Sequence, residues 1–337
     1  MCSFLTLFIG AVIAVKSPAG NPCPTLNSVA VPSSSALAME AVPPVSVQAI
    51  EPMPENEYER EYLKVWEFVQ RNYIFSDKMA SWREWRDRYR GRLQNEEQTR
   101  AAVELMLASL HDDFTYLKKL PVPPPEAAGA IVQWKKLSGN VGYIRIKAFN
   151  NDAVEARTLQ ALTELRNSKG YILDLRGNKG GYISLTSRVY SMFVDRALFL
   201  RMVERNGTAE KVEELVVDAD SIKSGFESHW DLQPRHKNLT ARKPVVILVD
   251  RKTRSSGEML AGALRDTRGA VLIGERTFGK GVAQDVVELP GAVAKVVTAR
   301  VFLPSNECMH GSGLTPSRCL DCEAQPESWL QAAAELI

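Results

Sequence analysis

The chain has 337 residues, a formal net charge of +2, 45% hydrophobic and 24% charged residues. That is an ordinary globular composition, enough for a sizeable core in two folded units or in one large unit with an accessory part. The near-zero charge, with both signs interspersed, gives no reason to propose nucleic acid as a partner.

Residues 4–15 form an apolar run too short to span a bilayer as a helix. The run resembles the h-region of a signal peptide, with Ser17-Pro18-Ala19 as a small-residue cleavage site. No basic residue precedes it, so a misassigned start is the alternative. Residues 20–54 are rich in Pro, Ser, Ala and Val without periodicity and are expected to be a disordered linker. Residues 1–54 are therefore set apart as a signal-like segment and linker.

Residues 55–118 change character. Tyr58, Tyr62, Val65, Trp66, Val69 and Tyr73 recur at helical spacing, Ser81 opens a second helix through Trp82, Trp85 and Tyr89, and 99–110 gives a third. Helix–helix core explains the aromatic stripe better than a ligand box. His111-Asp112-Asp113 reads as a helix end and turn rather than a metal motif, since no second ligand cluster accompanies it. Residues 119–139, with Pro121, Pro123, Pro124 and Pro125, read as a linker with room for one strand. The remainder, 140–337, is set apart as the core, with a C-terminal helix.

Within the core, 141–146 is a strand, 153–167 an amphipathic helix and 170–175 a second strand. That strand runs into Arg176-Gly177-Asn178-Lys179-Gly180-Gly181 and then a helix from about Ile183. Such a crevice element resembles a phosphate loop but lacks its Gly-Lys-Ser/Thr ending. Residues 201–239 are polar and irregular, strand-like at 213–217, and suggest a rim or lid. A Ser-His-Asp triad using His229 or His236, which lie there, is an alternative that no motif around either histidine supports.

Residues 244–250 are an unbroken apolar run, as in a strand buried on both faces. A short amphipathic helix follows over 255–267, so Ser255 stands where a buried strand turns into a helix, beside free backbone N–H groups. Ser255-x-x-Glu258 also fits a capping box, which needs no catalysis. A further strand at 270–274 delivers Lys280 in a Gly-Lys-Gly turn, and a strand at 294–303 and a helix at 327–337 close the chain. Cys319-x-x-Cys322 fits half a zinc site, completed by Cys308 and His310, or a redox pair, but one disulfide that includes Cys308, with an odd thiol left over, is preferred.

Three separated segments carry a resemblance. They are Asp174-Leu175-Arg176-Gly177-Asn178-Lys179-Gly180-Gly181, Thr253-Arg254-Ser255-Ser256-Gly257-Glu258, and Thr277-Phe278-Gly279-Lys280-Gly281 with Gln284 four residues after the lysine. Together with the Leu110-His111-Asp112-Asp113-Phe114-Thr115-Tyr116-Leu117 ending and the closing Gly311-Ser312-Gly313-Leu314-Thr315-Pro316, they resemble the C-terminal processing peptidases, or tail-specific proteases. The resemblance covers roughly residues 58–335. It implies an α/β fold, a crotonase-like (ClpP-like) spiral core with an N-terminal helical subdomain.

The same resemblance implies a serine endopeptidase with Ser255 as nucleophile, Lys280 as general base and Gln284 orienting the lysine. The Ser256 amide and an amide of Gly180 or Gly181 would form the oxyanion hole. Asp174, Arg176 and Asp266 take structural roles. A serine hydroxyl needs an adjacent base, and lysine serves only when neutral, so its pKa must fall from about 10.4 towards 7. Burial near Phe278, Val282 and 271–273 is expected to do this.

No metal or organic cofactor is implied; the substrates are extended polypeptides and their C-terminal segments, outside the cytoplasm. An activator or adaptor protein is left open. Three departures stand out: Arg254 where the family usually has alanine, Gly257 where it often has serine, and only 118–140 where most members insert a PDZ domain. The competing class is a non-catalytic ligand-binding or scaffold protein on the same fold, as in the retinoid-binding repeats of the retinal interphotoreceptor matrix.

Overall fold

The computed structural model describes residues 56–120, 131–226, 229–320 and 326–337. The expected signal-like segment, the linker before residue 55, the four prolines after Leu120 and Cys322 lie outside the described residues.

Among the described residues the strands fall into two sheets. The first has the order β13-β10-β9-β4-β3-β2, comprising β2 (Val132–Leu137), β3 (Val141–Ile146), β4 (Gly170–Asp174), β9 (Val245–Val249), β10 (Val271–Gly274) and β13 (Arg318–Cys319). It is parallel except for the β2–β3 pair. Every residue of β4 and β9 is buried, because both faces of this sheet are covered; that is why their sequences run apolar without alternation. On one face lie α3 (Ala153–Glu164), α4 (Ile183–Ser191) and α5 (Ser256–Arg268), and on the other Trp329, Ala332 and Ala333 of α6 (Pro326–Ala334).

The second sheet is antiparallel. It contains β1 (Tyr116–Lys119), β5 (Ala197–Asn206), β6 (Ala209–Val217), β7 (Ser221–Phe226), β8 (His229–Pro234), β11 (Val282–Leu289) and β12 (Ala292–Phe302). β5 to β8 form a continuous meander, so residues 201–239 are not the irregular rim read from the sequence. The polar character comes from a solvated face with cross-strand ion pairs, Arg201 with Glu214 and Lys211 with Glu204.

In the N-terminal part, α1 (Glu57–Asn72) begins where the Asn56 side chain accepts the Tyr58 N–H, and α2 (Glu96–Ala108) where Asn95 accepts that of Gln98. Their apolar stripes bury Tyr62, Val65, Val69, Val103 and Met106 against Val287, Ala294 and Val296 of the second sheet. The aromatic stripe is core: the Tyr62 hydroxyl donates to the Trp85 carbonyl and the Trp66 indole to that of Trp82. The helix expected from Ser81 does not form. Two short 3-10 turns, Ser76–Met79 and Trp82–Trp85, take its place. Trp82 and Trp85 are three residues apart, a spacing shared by both helix types, and Ser81 makes no capping bond that would favour the longer one. Replacing the fully buried Met106 by alanine is expected to lower unfolding free energy by about 2–5 kcal/mol, read from the denaturant midpoint at unchanged m-value.

Candidate active site

β4 and β9 are parallel neighbours, so the loops leaving their carboxyl ends emerge side by side, where open α/β sheets bind ligands. Three bonds knit these loops together. The Thr253 hydroxyl donates to the Leu175 carbonyl (2.9 Å), the Gly177 N–H to Asp250 (2.9 Å) and the Arg254 N–H to the Asn178 carbonyl (3.0 Å). Asp174 and Arg176 form a two-pronged ion pair of 2.9 and 2.7 Å, with the Tyr143 hydroxyl on the same carboxylate.

Ser255 lies at the turn from β9 into α5 with φ 56° and ψ −126°, a region that non-glycine residues rarely enter. A conformation of this kind costs on the order of 1–3 kcal/mol and persists only where its surroundings impose it. The restraint is Glu258, whose carboxylate accepts the Ser255 N–H at 2.9 Å. The glycine loop lies directly against the serine: a Cβ on Gly180 would stand 2.7 Å from that of Ser255. At Gly181, φ +150°, a Cβ would fall 2.2 Å from the Phe149 carbonyl.

The two glycine amides differ. The Gly180 N–H is committed to the Asn178 side-chain oxygen at 2.8 Å. The Gly181 carbonyl accepts the Ser256 hydroxyl at 2.9 Å. Among the described residues the N–H groups of Gly181 and Ser256 have no protein acceptor.

Glu258 is completely buried and also accepts the Lys280 N–H (2.8 Å), the Gly279 N–H (2.7 Å) and the Thr277 hydroxyl (2.5 Å). Burial pushes its carboxyl pKa up, against four donated bonds that each favour the charged form. One carboxylate therefore fastens the serine turn to the lysine loop.

Lys280 Nζ donates to Gln284 Oε1 at 2.5 Å, and Gln284 in turn donates to the Phe114 carbonyl. A register shift between Ala283 and Gln284 interrupts the β11–β12 ladder at this side chain, as bulges do beside functional sites. The Lys280 amine is pushed down to about 8, first by burial and then by the charges of Lys295 and Arg254, with Asp112 opposing. The ring against it is Phe114, 5.1 Å from Nζ. Phe278, expected beside the amine, is instead 48% exposed and meets Phe114 edge-on, while Leu272 and Ile273 are spent in the cores of the parallel sheet.

Three residues given no site role from the sequence thus belong here: Phe114, Asn178 and Glu258. The readable signal for Glu258 was a carboxylate in a helix otherwise small and apolar on every side through Leu264. Asp112 closes the turn as expected, accepting from the Phe114 N–H and from the Thr115 and Tyr73 hydroxyls. His236 is paired with Glu155 at 2.6 Å. Cys308 is disulfide-bonded and Cys319 is a free, exposed thiol. Among the described residues no group of three or more His, Cys, Asp or Glu side chains is placed to hold a metal.

The pattern of Peptidase family S41 matches residues 140–318, just over half of the sequence. The chain belongs to peptidase family S41. A carboxyl-terminal-processing protease of Synechocystis sp. is 30% identical over 240 residues, 70% of this S41 chain and 51% of the relative. A carboxy-terminal processing protease of Bacillus subtilis is 29% identical over 228 residues, 66% and 43% of the two chains. The S41 chain thus spans about half the length of the curated relatives it matches. Among solved structures, a photosystem II D1 C-terminal processing protease superposes with a TM-score of 0.60 at 22% identity, covering 83% of this chain and 97% of that one. A lipoprotein from Streptococcus agalactiae gives 0.61 at 16%, covering 88% and 100%. These establish the S41 fold, the α/β core with N-terminal helices that the sequence resemblance implied.

Glu258→Gln keeps the shape but turns an amide N–H2 towards donors. It is expected to cost about 3 kcal/mol of stability, read from the denaturant midpoint.

Proposed function

We propose that this chain is a serine endopeptidase of the C-terminal processing type, with Ser255 as nucleophile, Lys280 as general base and Gln284 as the group that orients the lysine. The observation that carries this reading is the Lys280 amine, lowered to about 8 and held by Gln284, in a loop that Glu258 ties to the Ser255 turn. The neutral amine spends one N–H on Gln284, leaving its lone pair for the serine proton.

The Ser255 oxygen attacks the scissile carbonyl as Lys280 takes its proton. The oxyanion is received by the N–H groups of Gly181 and Ser256, which have no protein acceptor among the described residues; Gly180 is spent on Asn178. The Lys280 ammonium returns its proton to the leaving amine, and an ester remains on Ser255. Water, deprotonated by Lys280, then attacks the ester and releases the new C-terminus.

The substrates are extended polypeptides, C-terminal segments among them. Between β1 and β2 the chain has too few residues for a PDZ domain, so tail selection falls to the cleft itself or to an adaptor. We place the protein outside the cytoplasm, supported by the signal-like run at 4–15 and the Cys308 disulfide. No helix among the described residues is long and apolar enough to cross a membrane.

Incubation of the full chain with reduced casein should yield fragments detectable by mass spectrometry, and Ser255→Ala should yield none; cleavage by both would remove Ser255 from the scheme. Lys280→Ala should lower kcat by about 10²–10⁴-fold. Because the base works only when neutral, kcat/KM should rise about tenfold per pH unit up to the Lys280 pKa and level off above it. A flat profile between pH 6 and 9 (about three decades around the amine's titration) would exclude lysine as the base.

A further inference from the structure

Arg254, the residue before the nucleophile, departs from the alanine usual at this place in the motif. Its backbone is fixed on both sides: its N–H bonds the Asn178 carbonyl of the glycine loop at 3.0 Å, and its carbonyl accepts the Gly257 N–H in the first turn of α5 at 3.1 Å. The side chain is held loosely. Nε reaches the exposed Lys179 carbonyl at 3.4 Å, and the guanidinium carbon stands 5.9 Å from the Phe278 ring centroid. Phe278 meets Phe114 edge-on, and Phe114 lies against the Lys280 amine, so these four side chains form one continuous wall.

Among the described residues no acidic side chain pairs with Arg254, and neither terminal nitrogen of its fork has a partner. The nearby carboxylates are already committed. Asp112 accepts from Tyr73 and Thr115, and Glu258 accepts four donors in the core. The charges felt at Lys280 from Lys295 and Arg254 are both positive. An open guanidinium fork presented beside a nucleophile matches the geometry of a carboxylate.

We propose that Arg254 is a specificity-determining residue of the peptidase site, binding a substrate carboxylate close to the scissile bond: the C-terminal α-carboxylate or an Asp or Glu side chain. This rests on the peptidase reading of Ser255. It supplies a carboxylate-directed selection within the cleft, where a PDZ domain would otherwise select tails.

The test uses the full chain carrying Ser255→Ala, so that binding is read without cleavage. A fluorescent alanine-rich peptide is titrated in matched forms: free C-terminus against C-terminal amide, and one internal Glu against Gln. The carboxylate forms should bind about tenfold tighter, the size of one charge-assisted bond. Loss of the preference on amidation assigns the α-carboxylate; loss on Glu→Gln assigns a side chain. Adding Arg254→Ala should abolish the preference, and Arg254→Glu should reverse it in favour of an internal Lys. Equal binding of all forms, no binding of any, or a preference that survives Arg254→Ala would overturn the proposal. Casein cleavage reads the peptidase assignment separately. Cleavage without a carboxylate preference sinks the Arg254 inference alone, and a preference without cleavage sinks the peptidase reading.

Discussion

The Glu258 carboxylate sits in the core with no solvent exposure and accepts hydrogen bonds from Ser255, Thr277, Gly279 and Lys280. An ion buried in this way is tolerated only when its acceptor capacity is filled. Filling it takes donors from two segments, the turn after β9 and the loop after β10, which the β9–β10 pairing and the Phe278 N–H bond to the Thr253 carbonyl also hold side by side. Their juxtaposition fixes where the serine and the lysine stand. Thr277 extends the arrangement, since its hydroxyl also accepts the Leu314 N–H and so ties in the closing segment of the core.

Around that anchor, each architectural layer contributes one part. Adjacent parallel strands β4 and β9 place the glycine loop against the serine. The antiparallel sheet supplies Gln284 at a bulge in β11. The segment after α2 supplies Phe114, whose carbonyl holds Gln284 and whose ring covers the amine. Burial lowers the lysine, neighbouring cations push the same way, and Asp112 opposes them. The result is an amine poised near the pH at which a base is useful, neither permanently charged nor too weak to accept a proton.

Much of this was legible in the chain. The apolar runs of β3, β4, β9 and β10 could be read because strands buried on both faces have no polar alternation. The glycine loop, the serine turn and the lysine turn each carried a local motif. The meander β5–β8 was not legible, since its half-solvated strands hide their period under paired charges such as Arg201 and Glu214. Phe114 stood in a readable segment, but its contacts in the site are with Lys280 and with Gln284, 170 positions away, and no local pattern encodes them. Glu258 was seen only as a helix cap. Its other three donors come from the lysine loop, and only the fold brings that loop within reach.

The most direct test is of the amine itself. The Lys280 side-chain carbon resonance, identified by its loss in Lys280→Arg, can be followed by NMR against pH in the full chain. A midpoint at about 8 is expected. A midpoint near the ordinary value of about 10.4 would mean that the surroundings of Lys280 do not make it a base, and the proposed chemistry would fail.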